Sequence, residues 1–210
     1  MKQVSNLKAL DFIEHGFYNA TDFQDDPDPI LMNQVHSADA LFLTEKPLTP
    51  PSVDALITQK QNLNLTVKTA DCAPVLLADP TSKMVAAIHA GWKGALQGIL
   101  EATILKMVYH GAKIDTICAG IGPHIQLKSF EMGADVKALF PKTEEQFFKY
   151  QGDRIFFDFD AYVIHRLKRA GISSIESVGD DTFPDSKYFS YRRSPMNKGR
   201  QFSSICIKGG

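Results

Sequence analysis

Two short apolar segments on either side of a turn constrain the fold more than any other feature of the sequence. Residues 75–78 are continuously apolar, and residues 84–89 resume the pattern after the turn-forming residues 79–82. A strand that is apolar on both faces is normally buried on both sides. We therefore expect these segments to pair as a hairpin within a sheet that is covered on both faces.

The rest of the chain predicts a mixture of strands and helices. Spacings of three and four between apolar residues predict a long helix from Gly94 to Gly111, and further helices are expected at 130–140 and 160–170. The acidic, proline-bearing run 25–29 predicts a turn. Further strands are predicted at 30–36, 40–44, 54–58, 63–67, 114–121, 175–178 and 202–207. Together these elements indicate a mixed α/β or α+β fold.

Size, charge and cysteine usage restrict the class of protein. A chain of 210 residues with 44% hydrophobic content is typical of one globular domain, so we expect 1–210 to form one domain. A net charge of -1 provides no field that would attract nucleic acid or an anionic membrane. No segment approaches the roughly 20 apolar residues of a membrane span, and three distant cysteines are typical of reduced thiols. We expect a cytoplasmic protein that binds neither membranes nor nucleic acid.

Three potential metal ligands, His36, Cys72 and His89, lie near the ends of predicted strands. Side chains at strand ends can converge on a cleft while the core holds the backbone still. Two imidazoles and a thiolate would leave one open coordination position, as in catalytic zinc sites. However, the spacing matches no short zinc signature, and a lone cysteine is often a core residue. The residue types alone leave both interpretations open.

The other two cysteines illustrate the structural alternative. Cys118 and Cys206 each lie between apolar neighbours, where a thiol acts as a small buried hydrophobe. We assign no chemistry to either of them.

Several motifs resemble the YfiH (laccase-domain) family. The string TADCAPVLL at 69–77 and the string HAGWKG at 89–94 resemble its signature. Shorter matches are QVH at 34–36, GIGP at 120–123, FEMG at 130–133, FSYRR at 189–193 and GRQ at 199–201. These motifs extend over most of the chain.

The resemblance implies both a fold and an activity. It implies an α/β/β/α sandwich with mixed sheets, similar to the catalytic domain of bacterial deamidase toxins, with His36, Cys72 and His89 as zinc ligands. It also implies phosphorolysis of adenosine, inosine, guanosine and methylthioadenosine, together with deamination of adenosine. The expected partners are therefore a small-molecule nucleoside and phosphate. The family has also been labelled a laccase-like polyphenol oxidase and has been linked to peptidoglycan editing.

Copper is the main alternative to zinc. Two histidines and a cysteine are also the ligand set of a blue-copper centre, so residue types permit a copper-dependent oxidoreductase. A multicopper oxidase would need a further copper cluster. The histidines left for that cluster are His15, His110, His124 and His165. This supply is too small, which makes phenol oxidation the second hypothesis.

Deamination and phosphorolysis require different groups around the metal. Deamination would need an acid near an activated water, and Asp71 next to Cys72 could either shuttle protons or orient the backbone. The HxE signature of cytidine deaminases does not accompany these ligands. Phosphorolysis needs cations, for which Arg192 and Arg193 are candidates, although they could also be a solvated charge pair. His124 could contact the substrate or face solvent.

The chain also departs from the family pattern. Ala20 stands where the resemblance leads us to expect an arginine, and Lys93 replaces the usual arginine of the HAGWRG motif. A substrate contact could therefore be missing. For this reason we also consider a non-enzymatic binding or editing factor in which zinc is structural.

Overall fold

A six-stranded mixed sheet lies at the centre of the fold. The computed structural model describes residues 1–22 and 28–209. The strands of this sheet are β2 (Ala40–Leu43), β3 (Ala55–Thr58), β5 (Ala73–Asp79), β6 (Met84–Ala90), β7 (Cys118–Ile121) and β10 (Ser174–Ser177), in the order β10-β7-β5-β6-β3-β2. Strands β5 and β6 pair antiparallel from Ala73↔Ala90 to Asp79↔Met84, and every residue of both is buried. The predicted central hairpin is confirmed.

A second, three-stranded sheet packs on one face of the central sheet. It consists of β1 (Ile13–Phe17), β4 (Leu65–Thr69) and β11 (Gln201–Ile207), in the order β1-β11-β4, with antiparallel pairing throughout. The apolar core between the sheets contains Leu65 and Val67 of β4 together with Leu76 of β5. This sheet joins the two ends of the chain, because β1 pairs directly with β11.

Helices cover the other face of the central sheet. They are α2 (Trp92–Gln97), α3 (Ile99–Tyr109) and α5 (Phe159–Arg169). A second apolar core lies between them and the sheet, and it contains Ile99 and Tyr162 from the helices and Ile88 from β6. The short helix α1 (Ser5–Lys8) packs against β1 and β7, on the side of the second sheet. The predicted mixed α/β sandwich is confirmed.

The remaining described elements are short and lie near the helical layer. The helix α4 spans Ala134–Lys137, and a two-stranded sheet pairs β8 (Phe148–Gln151) with β9 (Arg154–Phe157). Turns of 3₁₀ helix occur at Ile114–Thr116 and Lys142–Phe147.

Several local predictions were wrong. The strand predicted at 30–36 is reduced to an isolated bridge at Ile30, because the backbone amides that follow bind a side chain instead of a neighbouring strand. The helix predicted at 130–140 is limited to α4, and 114–121 begins with a 3₁₀ turn before β7. The turn predicted at 25–29 lies partly outside the described residues.

Gly98 divides the long helix predicted from Gly94 to Gly111 into α2 and α3. Its φ angle of 99° is left-handed, and it serves as the C-cap of α2 and the N-cap of α3. A Cβ atom built at Gly98 would meet its nearest neighbours, Arg166 and Glu101, at 3.7 Å, which is ordinary contact. The glycine is therefore required by backbone conformation and not by space.

Replacing Gly98 tests this interpretation. The Gly98→Ala variant is expected to lose roughly 1–2 kcal/mol of unfolding free energy, the cost of left-handed backbone for an L-residue. Gly98→Asn is expected to lose less, because asparagine tolerates this conformation. Urea denaturation of the three proteins measures the difference. An alanine variant as stable as the wild type would contradict the assignment.

In the part of the chain that the structure describes, none of the helices combines the length and the apolar character needed to cross a membrane.

Candidate metal centre

Three side chains that are distant in sequence meet at one end of the central hairpin. His36 lies in the loop before β2, Cys72 lies between β4 and β5, and His89 lies near the end of β6. One potential ligand atom from each residue lies within 4.8 Å of the other two. Cys72 Sγ is 3.8 Å from His36 Nε2, and the two imidazole centroids are 4.8 Å apart. The three predicted ligands therefore form one cluster.

Asp54, just before β3, connects two of the three ligand positions. Its carboxylate is fully buried and lies 2.7 Å from His89 Nδ1, which leaves Nε2 for a ligand. It also accepts hydrogen bonds from the backbone amides of Val35, His36 and Ser37, at 3.2, 3.0 and 2.7 Å. One carboxylate thus orients the His89 ring and holds the loop that carries His36.

The backbone around the cluster is tightly constrained. His36 has a left-handed φ of 59°, and the bonds from its loop to Asp54 stabilise this uncommon conformation. A Cβ atom at Gly91 would lie 2.6 Å from His36 Cδ2 and 3.2 Å from Cys72 Sγ. Gly91 therefore allows the chain to pass close behind two ligands.

The Cys72 thiol and the His89 imidazole shift each other's pKa in opposite directions. Burial opposes ionisation of Cys72, but the positive charge of His89 and hydrogen bonds from His36 and His89 lower the pKa of the thiol. Burial also opposes protonation of His89, but the Cys72 thiolate and the Asp54 carboxylate raise its pKa. The pKa of Asp54 is lowered, because bonds from His89 and Ser37 outweigh its burial.

The donor set and its spacing fit a zinc ion. Zinc bonds of about 2.0–2.1 Å to nitrogen and about 2.3 Å to sulfur place tetrahedral ligand atoms roughly 3.6 Å apart. The separation of 3.8 Å between Cys72 Sγ and His36 Nε2 is close to this value. The bond from His89 to Asp54 is the arrangement by which carboxylates commonly orient metal-bound histidines. Three ligands also leave one coordination position open.

The cluster lies in the wall of a cavity of about 770 Å³. The helical side contributes an apolar wall that includes Trp92, Phe130 and Phe159. The cationic residues that line the cavity are Lys68, Arg192, Lys198 and Arg200. Aromatic surface next to positive charge suits a ligand that combines a flat ring with an anion.

Asp71 lines the cavity next to Cys72, and its carboxylate is held by the C-terminal loop. Oδ1 accepts a hydrogen bond from Thr182 Oγ1 at 2.7 Å, and Oδ2 accepts from Ser190 Oγ at 3.0 Å and from the Arg192 amide at 2.7 Å. Asp71 has a left-handed φ of 84°. Asp71 was predicted either to shuttle protons or to orient the backbone, and these contacts support the second role.

The three predicted substrate-binding residues lie in different environments. Arg192 lines the cavity, with its guanidinium 5.6 Å from the centre of the Phe130 ring and Nη1 donating to Glu131 O. The guanidinium of Arg193 instead donates to the carbonyl oxygens of Thr182, Phe183, Asp185 and Tyr188. The structure thus brings Arg192, but not Arg193, to the cavity wall.

His124 is fully buried behind that wall. Its Nδ1 lies 2.8 Å from Gly122 O, and its Nε2 lies 3.1 Å from Gln126 Nε2. Burial lowers the pKa of His124. A neutral ring that donates to Gly122 and accepts from Gln126 satisfies both nitrogens, so these contacts support a structural role.

Comparison with known proteins identifies the family. A sequence model described as multi-copper polyphenol oxidoreductase laccase matches residues 15–208. This match covers almost the entire chain. The chain belongs to the YfiH (laccase-domain) family. The predicted family membership is confirmed, and the family match includes all three clustered ligands.

Relatives of this family share most of their length with the chain. A protein of Rickettsia conorii named purine nucleoside phosphorylase is 35% identical over 200 residues, 92% of this chain and 82% of the relative. A protein named adenosine deaminase, from an unknown prokaryotic organism, is 33% identical and covers 80% of this chain and 68% of its own. The crystal structure of Bacillus licheniformis YfiH superposes with a TM-score of 0.84 over 93% of both chains, at 22% identity, which supports the fold.

Two residues of the site, Asp54 and Lys68, were not predicted from the sequence. Asp54 was predicted only as the first residue of the strand at 54–58. The signal that could have identified it is a carboxylate directly before the apolar run 55–57. Lys68 received no assignment, because it follows the strand predicted at 63–67, although it directly precedes TADC. Both positions are informative only when the neighbouring strands are known.

Proposed function

We propose that this protein is a zinc-dependent enzyme that acts on purine nucleosides, by phosphorolysis of adenosine, inosine, guanosine and methylthioadenosine and by deamination of adenosine. One observation carries the proposal: the cluster of His36, Cys72 and His89 opens into a cavity with both aromatic and cationic walls. The names of the relatives from the same family agree with this substrate class.

The side chains of the cavity divide the tasks of such an enzyme. His36, Cys72 and His89 would hold zinc, which supplies a Lewis acid at the cavity wall when bound. Trp92, Phe130 and Phe159 offer surface for the purine. Arg192, over the Phe130 ring, contacts the ribose or an anion. We propose that Asp71, which lines the cavity beside Cys72, moves a proton in addition to orienting the loop that its carboxylate holds.

The cellular setting is a further part of the proposal. The structure has all three cysteines free, which agrees with a cytoplasmic location. The partners are a nucleoside and phosphate, and the balanced overall charge gives no reason to add nucleic acid or a membrane.

Copper-dependent phenol oxidation is the second candidate, supported by the description of the matching family. Among the described residues, His36, Cys72 and His89 form the one group of three or more potential ligands that could hold a metal. The other histidines have separate surroundings: His15 accepts from the Val4 amide, and His110 stacks on Phe42. A single centre of this kind does not supply the further copper cluster of a multicopper oxidase, so the nucleoside activity is the better supported.

An adenosine assay on protein of known metal content tests the proposal. The protein is loaded with zinc, its metal is quantified by elemental analysis, and products are separated by chromatography with and without phosphate. We expect adenine to appear only with phosphate, and inosine to appear without it. Protein that carries zinc and forms neither product would reject the enzymatic proposal and favour a binding or editing factor.

Copper-loaded protein that oxidises a phenol and develops a blue absorption band would favour the oxidase.

A further inference from the structure

The cavity has a local excess of positive charge that the overall charge of -1 does not reveal. Its cationic side chains are Lys68, Arg192, Lys198 and Arg200. Asp71 is the one carboxylate among the described residues that line it, and its oxygens already accept three hydrogen bonds from the protein. The cavity therefore favours an anionic ligand.

Two of these cations come from neighbouring strands of the three-stranded sheet. In the antiparallel pairing of β4 with β11, Lys68 lies opposite Phe202, and Arg200 comes two residues before Phe202. Residues directly opposite share a face of the sheet, as do residues two apart along a strand. Arg200 immediately precedes β11 and so lies near the diagonal position of Lys68, a spacing of roughly 7–8 Å within a sheet that long side chains can span.

These cations are not neutralised by the surrounding protein. Within residues 1–22 and 28–209, no carboxylate oxygen lies within 4.0 Å of the ammonium of Lys68 or Lys198. Arg200 donates from Nη1 to the neighbouring Gly199 carbonyl at 2.7 Å, which leaves other guanidinium donors for a ligand. Half-buried Lys68 and Arg200 would gain more from an anion than exposed Lys198, because a partly desolvated charge benefits from a partner.

The cavity also separates this cationic side from the aromatic side. Lys68 and Arg200 belong to the three-stranded sheet or its immediate flank, whereas Phe159 begins helix α5 on the other face of the central sheet. Arg192 lies on the aromatic side, over Phe130. Arg193 is occupied by backbone carbonyls. Lys198 lines the cavity two residues before Arg200, and we group it with Lys68 and Arg200, apart from the FSYRR arginines.

We propose that Lys68, Lys198 and Arg200 form an oxyanion subsite that binds inorganic phosphate as the co-substrate. The inference rests on the proposed nucleoside activity and assigns the phosphate to the side of the cavity opposite the aromatic wall. There, a phosphate oxygen would form a bond to C1′ of the ribose while the bond from C1′ to the purine nitrogen breaks. The electron pair leaves with the purine, and the proton of the hydrogen phosphate ends on that base, giving ribose 1-phosphate.

The test compares two reactions of the same zinc-loaded protein. We would measure the KM for phosphate in phosphorolysis, and the rate of deamination without phosphate, for wild type, Lys68→Met and Lys198→Met. Lys60→Met is the matched control, since Lys60 is exposed outside the cavity. Loss of one charged hydrogen-bonding partner should raise the KM for phosphate by about tenfold or more. The KM for adenosine and the deamination rate should stay within about twofold, as expected when substrate contacts are unchanged.

Two results would overturn the subsite while leaving the nucleoside activity intact. One is an unchanged KM for phosphate in both variants. The other is an equal loss of phosphorolysis and deamination, which would indicate a general role. If the wild type turns over no nucleoside, phosphate binding measured by calorimetry decides the question separately. Phosphate that binds the wild type and the control but not Lys68→Met supports the subsite, and absence of binding to the wild type rejects it.

Discussion

Replacing Cys72 with alanine is expected to remove the bound metal and the activity with it. The thiolate is one of the three proposed ligands. Loss of a residue that only hydrogen-bonds to a metal ligand typically costs roughly 10–100-fold in metal affinity. Loss of a direct ligand should therefore lower affinity by more than about a hundredfold. Elemental analysis after dialysis and the adenosine assay measure the two effects.

Cys118→Ala is the matched control for this variant. Cys118 is also a free, half-buried cysteine, but it lies in β7, where its Sγ is 3.8 Å from Thr116 O. We expect this protein to keep both its metal and its activity. Full activity in Cys72→Ala would refute the metal-centred mechanism, whereas a loss of both properties in Cys118→Ala would show that the thiol substitution acts through the fold.

Replacing Asp54 with asparagine is expected to weaken the metal site and the fold together. The carboxylate orients His89 and accepts three backbone amides from the loop of His36. An asparagine has the same shape but replaces one carboxylate oxygen with an NH2 group. That group would face the buried N–H donors that the oxygen now accepts. We expect metal affinity to fall by roughly 10–100-fold, and the unfolding free energy of the apo-protein to fall by roughly 1–3 kcal/mol.

Asp79→Asn separates the effect on the metal from the effect on the fold. Asp79 is also fully buried, and it accepts bonds from Ser82, Thr116 and the Lys113 amide at the far end of the central hairpin. This variant should lose stability to a similar extent and keep its metal affinity. Chelator competition and urea denaturation of both variants provide the comparison. Equal metal affinity in Asp54→Asn and wild type would contradict the role assigned to Asp54.

The features predictable from sequence are those that depend on local pattern. The apolar runs at 75–78 and 84–89 predict the central hairpin, because strands that are buried on both faces consist almost entirely of apolar residues. The motifs around His36, Cys72 and His89 likewise identify the three side chains that the structure brings together. In both cases the information lies within a short stretch of chain.

Features that depend on distant partners could not be predicted in the same way. Strand β1 forms because residues 13–17 pair with residues 203–207 at the other end of the chain, and no local pattern marks that contact. The segment 30–36 has the composition of a strand, but its last amides turn toward Asp54. Spacings of three and four continue through Gly98, so periodicity alone does not reveal the break between α2 and α3.

The same principle applies to the predicted substrate residues. Arg192 and Arg193 are adjacent and chemically identical, yet one lines the cavity and the other caps backbone carbonyls. A sequence motif cannot distinguish these two environments, because the difference arises from the path of the loop. The cationic side chain of Lys68 joins the cavity through strand pairing for the same reason.

Two parts of the cavity wall are encoded far apart in the chain. All three metal ligands and Asp54 occur before residue 90, whereas Tyr191, Arg192, Lys198 and Arg200 belong to a segment that begins after residue 190. Substitutions in that late segment therefore change part of the cavity lining without replacing any of the three clustered side chains. A lineage with this architecture can vary part of the cavity wall while inheriting His36, Cys72 and His89 unchanged, and a designer can diversify residues 191–200 as a library.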